Sequence, residues 1–209
     1  DNREVIPNGE LDVTVETSYV ASNGTEIIEL DVQRTASQRS FIRYLDVLFS
    51  SEEELGHIVE TVNDDVVGNE RIKLRNLGLD GESVGASVNL EGVVQVLGQA
   101  LAFDFGSQGI GGNRDSDAGN GFYELALDLD GDGGFGSDET LYFYRLFGDT
   151  NGDRRVDSTD YYAARAAYRR TGDNLDEDVD GNGRVDFMDI RYIYYQIGEA
   201  VPETLEIDD

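Results

Sequence analysis

Two acidic stretches decide how this sequence is interpreted: DTNGDRRVDSTD at residues 149–160 and DVDGNGRVDFMD at residues 178–189. They superpose with an offset of 29 residues, and oxygen-bearing side chains recur at alternate positions of both. Short acidic and amide side chains on a tight turn can surround a hard cation. A single stretch of this kind could be a chance acidic turn, but two with the same spacing predict a pair of cation sites.

The spacing within each stretch matches an EF-hand-type calcium loop. Such a loop supplies oxygens from positions 1, 3, 5, 9 and 12 and from the backbone carbonyl of position 7. The predicted ligands are Asp149, Asn151, Asp153, Arg155, Asp157 and Asp160 in loop 1 (residues 149–160), and Asp178, Asp180, Asn182, Arg184, Asp186 and Asp189 in loop 2 (residues 178–189).

The segment after each loop predicts a short helix. Apolar residues recur there at i, i+3 and i+7, which is the spacing of one helix face. These residues are Tyr161, Ala164 and Tyr168 after loop 1, and Ile190, Ile193 and Ile197 after loop 2. Ser158 or Thr159 is expected to cap the first helix. Neither loop is preceded by a helical pattern, so each unit consists of a loop and one following helix.

This tandem half-hand, with the strings GDTNGDRRVDSTD and DVDGNGRVDFMD, resembles the dockerin module over residues 148–199. The resemblance implies a calcium-dependent module that binds a cohesin-like protein. It also implies partner contacts at loop positions 10 and 11 and on the outward helix face, namely Ser158, Thr159, Phe187, Met188, Tyr194 and Tyr195. Phe187 and Met188 could instead pack into the small core. Arg154 departs from the pattern, because position 6 is normally glycine, and it predicts a positive φ.

The preceding residues predict an antiparallel β-sandwich. Short alternating segments with turn signals between them include residues 40–50, 84–96, 100–105, 122–129 and 141–146. The strings RSFIRYLDVLFSSE and FYRLFGDTNGD resemble the immunoglobulin-like β-modules that precede dockerins. We therefore predict an immunoglobulin-like sandwich over residues 1–146 and a dockerin-like module over residues 147–209. No Gly-, Ser- or Pro-rich spacer separates them, which predicts a fixed arrangement with Phe147 between the modules.

A third acidic stretch, DLDGDGGFGSDE at residues 128–139, lies between two predicted strands. It matches the full loop pattern, which makes a hairpin tip that binds a third calcium ion one interpretation and an ordinary acidic β-turn the other. Its candidate ligands are Asp128, Asp130, Asp132, Gly134 and Glu139.

Composition narrows the classes of function. The net charge of −28 argues against binding to nucleic acid, which requires basic patches. No apolar run is long enough to insert into a membrane. The absence of cysteine excludes thiol chemistry, and the single histidine, His57, lacks the partners of a zinc or triad site. Weak calcium loops fill outside cells, so an extracellular or cell-surface location is expected, with the chain as an excised piece of a longer protein.

The sequence thus predicts a non-catalytic, calcium-binding interaction fragment. It would hold two calcium ions, or three with the hairpin, and dock to a cohesin-like partner. Two alternatives remain: a carbohydrate-binding module in which calcium is structural, and an appended part of a polysaccharide hydrolase.

Overall fold

The chain folds mainly into antiparallel strands with two short helices near its C-terminal end, which confirms the predicted class. The computed structural model describes residues 3–6, 19–20, 26–33, 37–50, 55, 71–80, 87–129, 133–135, 140–203 and 205–208. The elements are β1 (Arg3–Ile6), β2 (Tyr19–Val20), β3 (Glu26–Val32), β4 (Tyr44–Phe49), β5 (Ile72–Gly78), β6 (Val94–Leu97), β7 (Ala100–Asp104), β8 (Gly121–Leu127), β9 (Thr140–Arg145), α1 (Ser158–Ala167), α2 (Phe187–Gln196) and β10 (Leu205–Asp208).

The strands form three sheets. A five-stranded sheet has the order β2-β3-β4-β7-β6, a three-stranded sheet has the order β5-β8-β9, and β1 pairs with β10. All of these pairings are antiparallel. The register of β4 against β7 places Leu45 opposite Phe103 and Val47 opposite Leu101.

Strand β4 shows why this part of the sequence forms a sheet. Its residues alternate between half-buried and buried, and Leu45, Val47 and Phe49 are fully inaccessible. Successive side chains of a strand point to opposite faces, so this period of two turns one whole face toward the core.

The larger core lies between the five-stranded and three-stranded sheets. It combines Leu45 and Phe103 of the former with Leu125 and Phe143 of the latter. The ring of Tyr123 stacks on that of Phe143, with centroids 5.3 Å apart.

A second core joins the end of the three-stranded sheet to the two helices. Phe122 and Tyr144 of the sheet belong to the same buried cluster as Ala164 of α1 and Ile193 of α2. Phe147 lies two residues after the end of β9 and is buried as predicted, and the centroid of its ring is 5.3 Å from that of Tyr192. The strand therefore continues into loop 1 through packed residues.

Arg145, the last residue of β9, is fully buried, and its hydrogen bonds connect segments that are far apart in sequence. Its guanidinium donates hydrogen bonds to the carbonyls of Ser40 (2.8 Å), Ser116 (2.9 Å) and Asn113 (3.3 Å). Burial lowers the pKa of Arg145 from its usual range. The contact to Ser40 fixes the segment 37–41, which lies against both acidic loops.

Three expectations about these elements are wrong. Residues 84–86 of the predicted strand 84–96 lie outside the described residues, and residues 87–96 do not form one strand, because residues 91–93 make a turn and β6 begins only at Val94. Tyr168 and Ile197 are exposed, because each lies just beyond the last residue of its helix. Ser158 and Thr159 do not cap α1: Asp157 does, in a reciprocal capping box with Asp160.

Within the described residues, no helix is both long and apolar enough to span a bilayer.

Candidate metal centre

The aspartate at position 12 closes loop 1. Asp160 is fully buried, and its Oδ1 accepts hydrogen bonds from the amide N (2.9 Å) and the hydroxyl (2.8 Å) of Thr150. Its Oδ2 accepts one from the amide of Asp157 at 2.8 Å. One carboxylate thereby ties the start of the loop to the first turn of α1.

Loop 2 repeats this closure 29 residues later. Asp189 is fully buried, and its Oδ1 accepts a hydrogen bond from the amide of Val179 at 3.0 Å. Its Oδ2 accepts one from the amide of Asp186 at 2.7 Å, and Asp186 caps α2 with the same box. The sequence repeat is therefore also a repeat of hydrogen bonds.

The aspartate at position 1 is wrapped by backbone amides in both loops. Asp149 accepts hydrogen bonds from the amides of Gly152 (2.8 Å) and Arg154 (3.1 Å). Asp178 accepts them from the amides of Asn182 (3.0 Å) and Gly183 (2.7 Å). These bonds curl each loop around its first carboxylate.

Loop 2 brings three carboxylates together. Oxygens of Asp178, Asp180 and Asp189 lie within 4.8 Å of one another, and all three residues are buried. Among the described residues this is the cluster of acidic and imidazole side chains compact enough to hold an ion. Buried carboxylates repel one another unless a cation or protons neutralise them, so this donor set fits a hard divalent cation.

Electrostatics agree with that geometry. Burial, with the charge of Asp180 nearby, raises the pKa of Asp178 to about 6 and that of Asp189 to about 7. In loop 1, burial and the charge of Asp160 raise the pKa of Asp149 to about 6. Each of these carboxylates is unfavourable in its charged form until a positive charge joins it.

The ligands of loop 1 converge less than those of loop 2. Asn151 and Asp153 are exposed, and the amide of Asn151 donates a hydrogen bond to Asp153 at 2.8 Å. Each loop has four aspartates and one asparagine among its predicted ligands, but the asparagine is at position 3 in loop 1 and at position 5 in loop 2. Binding an ion in loop 1 requires the side chains of Asn151 and Asp153 to exchange their mutual bond for metal contacts.

Position 7 of loop 1 lies in a short bridge between Arg155 and Ala200. The carbonyls on either side of it, those of Arg154 and Val156, accept hydrogen bonds from Val201 (3.0 Å) and Gly198 (2.9 Å). The amide of Arg155 donates a hydrogen bond to Asp153 at 3.0 Å.

Arg184 is placed in the same way in loop 2. Its amide donates a hydrogen bond to Asn182 at 3.1 Å, and Gly183 and Val185 pair with the segment that follows α1. The side chain of Arg155 pairs with Glu203 outside loop 1 (3.3 Å), whereas that of Arg184 pairs with Asp186, the predicted ligand at position 9 of loop 2 (2.9 Å).

The segment that follows each helix pairs with the loop of the other unit. The residues after α2 form a bridge to loop 1 (Arg155 with Ala200), and the residues after α1 form one to loop 2 (Thr171 with Arg184). Under the offset of 29, the bond from Gly172 to Gly183 corresponds to that from Val201 to Arg154. The pair therefore has an internal two-fold relationship, and neither loop is completed by its own unit.

Arg154 occupies position 6 with a φ of 71°, as its place in the loop predicts, and Gly183 has 89° at the same position of loop 2. A non-glycine residue in this region is uncommon. The Arg154 side chain is buried, donates a hydrogen bond to the carbonyl of Glu203 at 2.9 Å, and lies 5.7 Å from the ring centre of Tyr144. These contacts hold the left-handed conformation.

Sequence reasoning missed the segment 37–41, here called the clasp, which contacts both loops. In loop 1 the amide of Arg39 bonds the carbonyl of Asp149 at 3.0 Å. At loop 2 the hydroxyl of Ser40 bonds the carbonyl of Val179 at 2.9 Å.

The clasp also packs against glycines of both loops. A Cβ at Gly181 would lie 2.2 Å from the ring of Phe41, and one at Gly152 would lie 2.6 Å from the carbonyl of Ser37. Both glycines occupy position 4, where a positive φ and this close approach exclude a side chain. The glycine repeat was the one signal in the sequence that could have indicated a covered surface.

The third acidic stretch is described only in part. Asp128 is buried, accepts a hydrogen bond from the amide of Gly133 at 3.3 Å, and lies 3.5 Å from a guanidinium nitrogen of Arg71. Gly134 is half-buried. The other candidate ligands, Asp130, Asp132 and Glu139, lie outside the described residues, as does His57. The arginine already supplies a positive charge to the carboxylate at position 1.

The predicted partner residues lie largely on the surface. Ser158, Thr159, Tyr194 and Tyr195 are exposed, Met188 is half-buried, and the Phe187 side chain is 64% exposed. The alternative in which Phe187 packs into the core is wrong.

Four tyrosines form a connected cluster across the two helices. The rings of Tyr161 and Tyr194 are 6.1 Å apart, with Tyr162 at 5.6 Å on one side and Tyr195 at 5.8 Å on the other. Adjacent rings are tilted by 56° to 69°, so they do not form a flat platform.

A scan against protein-family models finds no match to this chain, and searches of curated proteins and of solved structures find none either.

Proposed function

We propose that residues 147–209 are a dockerin-like calcium-binding module, that residues 1–146 are an immunoglobulin-like sandwich, and that the chain is a non-catalytic interaction fragment of a secreted or cell-surface protein. The observation that supports the proposal most is that the two loops repeat the same hydrogen bonds between carboxylates and backbone amides at the same positions. One of them gathers Asp178, Asp180 and Asp189 within 4.8 Å.

The strand order supports the sandwich. In a constant-type immunoglobulin fold, strands A, B, E and D form one sheet and C, F and G form the other. With β3 to β9 taken in sequence as A to G, the two sheets become A-B-E-D and C-F-G, with β2 as an added edge strand.

The half-hand architecture supports the dockerin-like assignment. Loop 1 follows a strand, and the described residues between α1 and loop 2 contain no helix, so each loop is followed but not preceded by a helix. Calcium would neutralise the buried carboxylates and tie each loop to its helix, which couples metal binding to folding.

The exposed tyrosine cluster supports docking to a protein. Arg165 lies 5.6 Å from the ring centre of Tyr161, and Arg191 lies 5.4 Å from that of Tyr195. Aromatic and arginine side chains are the groups that most often dominate binding energy at protein interfaces. In a chain with a net charge of −28, this local cationic and aromatic face suits a partner with acidic and apolar groups, such as a cohesin-like module.

The first experiment is a calcium titration of the metal-free chain by isothermal calorimetry, with circular dichroism in calcium and in EDTA. Two bound ions are expected, together with a loss of helical signal and of melting temperature on chelation. If the protein binds no calcium, or if EDTA changes neither the helical signal nor the melting temperature, the proposal is wrong.

A second experiment tests the partner. Immobilised cohesin modules are expected to capture the chain in calcium but not in EDTA. Replacement of Tyr194 and Tyr195 by alanine should abolish capture. The control is Tyr168→Ala, which removes an exposed tyrosine outside the cluster. Equal capture of both variants would exclude the tyrosine face as the docking surface.

A further inference from the structure

A cavity of about 330 Å³ lies between the β-sheet region and loop 2, half open to solvent. Gln33, Arg43 and Ser107 line one wall, and Asp173 and Gly183 line the other. Its volume is at the small end of the range of about 300–1,000 Å³ for ligand sites. The cavity lies apart from the helix face proposed for docking.

Both walls contain backbone in an uncommon conformation. Gln33 has a φ of 64° and Asn174 a φ of 53°, and both line this cavity. Gln33 is buried, and its Oε1 accepts hydrogen bonds from the amides of Arg43 (2.6 Å) and Tyr44 (3.2 Å). Non-glycine residues in the left-handed region persist where the surrounding structure enforces them, and they cluster at binding sites.

The charged residues that line the cavity limit which ligands it can bind. Arg43 is held on one wall by two hydrogen bonds to Asp104, at 2.8 and 3.0 Å. The other wall carries Asp173 and Asp178. The charge of Arg43 is already balanced by Asp104, so the aspartates would repel an anion, and an apolar ligand would bury polar groups without partners. A neutral ligand with hydroxyl groups avoids both penalties, because a hydroxyl both donates and accepts.

The apolar part of the lining suits the same ligand. Tyr44, Phe41 and Leu175 contribute apolar atoms to the lining. A sugar ring presents apolar C–H faces and a rim of hydroxyls, which matches a cavity with aromatic surface and polar groups of both signs.

From these observations we infer that the cavity binds one unit of a neutral saccharide, with its hydroxyls between Arg43 and Asp173. This site is additional to the proposed docking face. It rests on the proposed function in one respect: Asp178, Gly181 and Gly183 of loop 2 form part of the wall, and a calcium ion in loop 2 would hold that wall in place.

The test uses the full chain saturated with calcium, with glucose, galactose, mannose and xylose as probes in nuclear magnetic resonance titrations. At least one of these sugars should cause saturable shifts of the amides of Gly172, Asn174 and Gly183. Glucuronate and glucosamine are charged counterparts of similar size, and glucuronate should bind more weakly because Asp173 repels it. The inference fails if none of the four neutral sugars binds, and the neutral assignment fails if a charged probe binds best.

Two substitutions in one 3₁₀ turn, Gly106–Gln108, provide a matched pair. Ser107→Trp places a large side chain at the cavity wall, and Gln108→Trp places the same side chain at the adjacent exposed position. The first should abolish sugar binding and the second should preserve it, with calcium stoichiometry and melting temperature unchanged in both. Equal effects of the two variants would place the sugar elsewhere.

The outcomes separate this inference from the proposed function. A chain that binds two calcium ions but none of the sugars contradicts the cavity site and leaves the calcium module standing. A chain that binds a sugar at these amides without binding calcium supports the cavity and contradicts the calcium module.

Discussion

Replacing Ser40 with alanine should weaken a contact on which both calcium loops depend. The Ser40 hydroxyl is fully buried, accepts a hydrogen bond from the amide of Gly148 at 2.9 Å, and donates one to the carbonyl of Val179 at 2.9 Å. It therefore bonds the residue before loop 1 and the second residue of loop 2. Alanine retains the packing of the β-carbon and removes both hydrogen bonds.

The size of the effect follows from the two groups left without partners. A buried donor or acceptor that loses its partner costs about 1–3 kcal/mol. For the Gly148 amide and the Val179 carbonyl together, we expect the free energy of unfolding to fall by about 2–6 kcal/mol. If the substitution destabilises the calcium-bound state by about 2 kcal/mol more than the calcium-free state, the apparent Kd for calcium should rise by about thirtyfold.

Urea denaturation followed by circular dichroism measures the first quantity, and a calcium titration measures the second. Ser158→Ala is the control, because the Ser158 side chain is exposed at the start of α1. A loss below about 0.5 kcal/mol, the usual effect of a surface substitution, would refute the reasoning that the clasp holds the loops.

Three further outcomes are expected. In EDTA the free energy of unfolding should fall as the pH rises from about 4 to about 7, because burial raises the pKa of Asp149 to about 6 and that of Asp189 to about 7. With calcium present, the melting temperature should instead rise over the same pH range, because calcium replaces the protons on these carboxylates. Asp189→Asn should reduce the calcium stoichiometry measured by calorimetry by one, since it removes a charge from the compact cluster. Gly181→Ala should lower the free energy of unfolding by about 1–3 kcal/mol more than Gly183→Ala. Both glycines have a positive φ, but only a Cβ at Gly181 would contact Phe41, at 2.2 Å. Equal urea midpoints for the two variants would contradict this.

The loops could be predicted from sequence because their contacts are local. Asp149 bonds amides three and five residues along the chain, and Asp160 bonds Thr150 within the same loop. Such contacts leave a regular spacing of acidic residues and glycines. The positive φ of Arg154 followed from position alone, because the turn at position 6 imposes it on any residue.

The helix boundaries were harder to predict because one residue type can serve two roles. Asp157 is the predicted ligand at position 9, yet it also caps α1, so Ser158 and Thr159 do not have that role. The apolar spacing that includes Tyr168 and Ile197 continues past the helix ends, where the chain turns and exposes both side chains. Periodicity locates a helix but does not determine where its last turn stops.

The clasp could not be predicted, because it joins residues more than a hundred positions apart. Ser40 and Val179 are separated by 139 residues, and the string around Ser40 indicates only a strand. Its partners are backbone groups, which leave no trace in the side-chain pattern. Only the glycines at position 4 reflect the contact.

The boundary at residues 146 and 147 separates two sequence patterns whose residues share one buried cluster. The core beneath α1 and α2 includes Phe122 and Tyr144, which belong to the three-stranded sheet. The hydroxyl of Tyr144 donates a hydrogen bond to Asp149 at 3.0 Å, so a strand residue positions the first ligand of loop 1. A unit as small as two loops and two short helices buries little apolar surface by itself. The three-stranded sheet and the clasp supply additional buried contacts to this unit. Calcium affinity should therefore depend on residues that precede both loops.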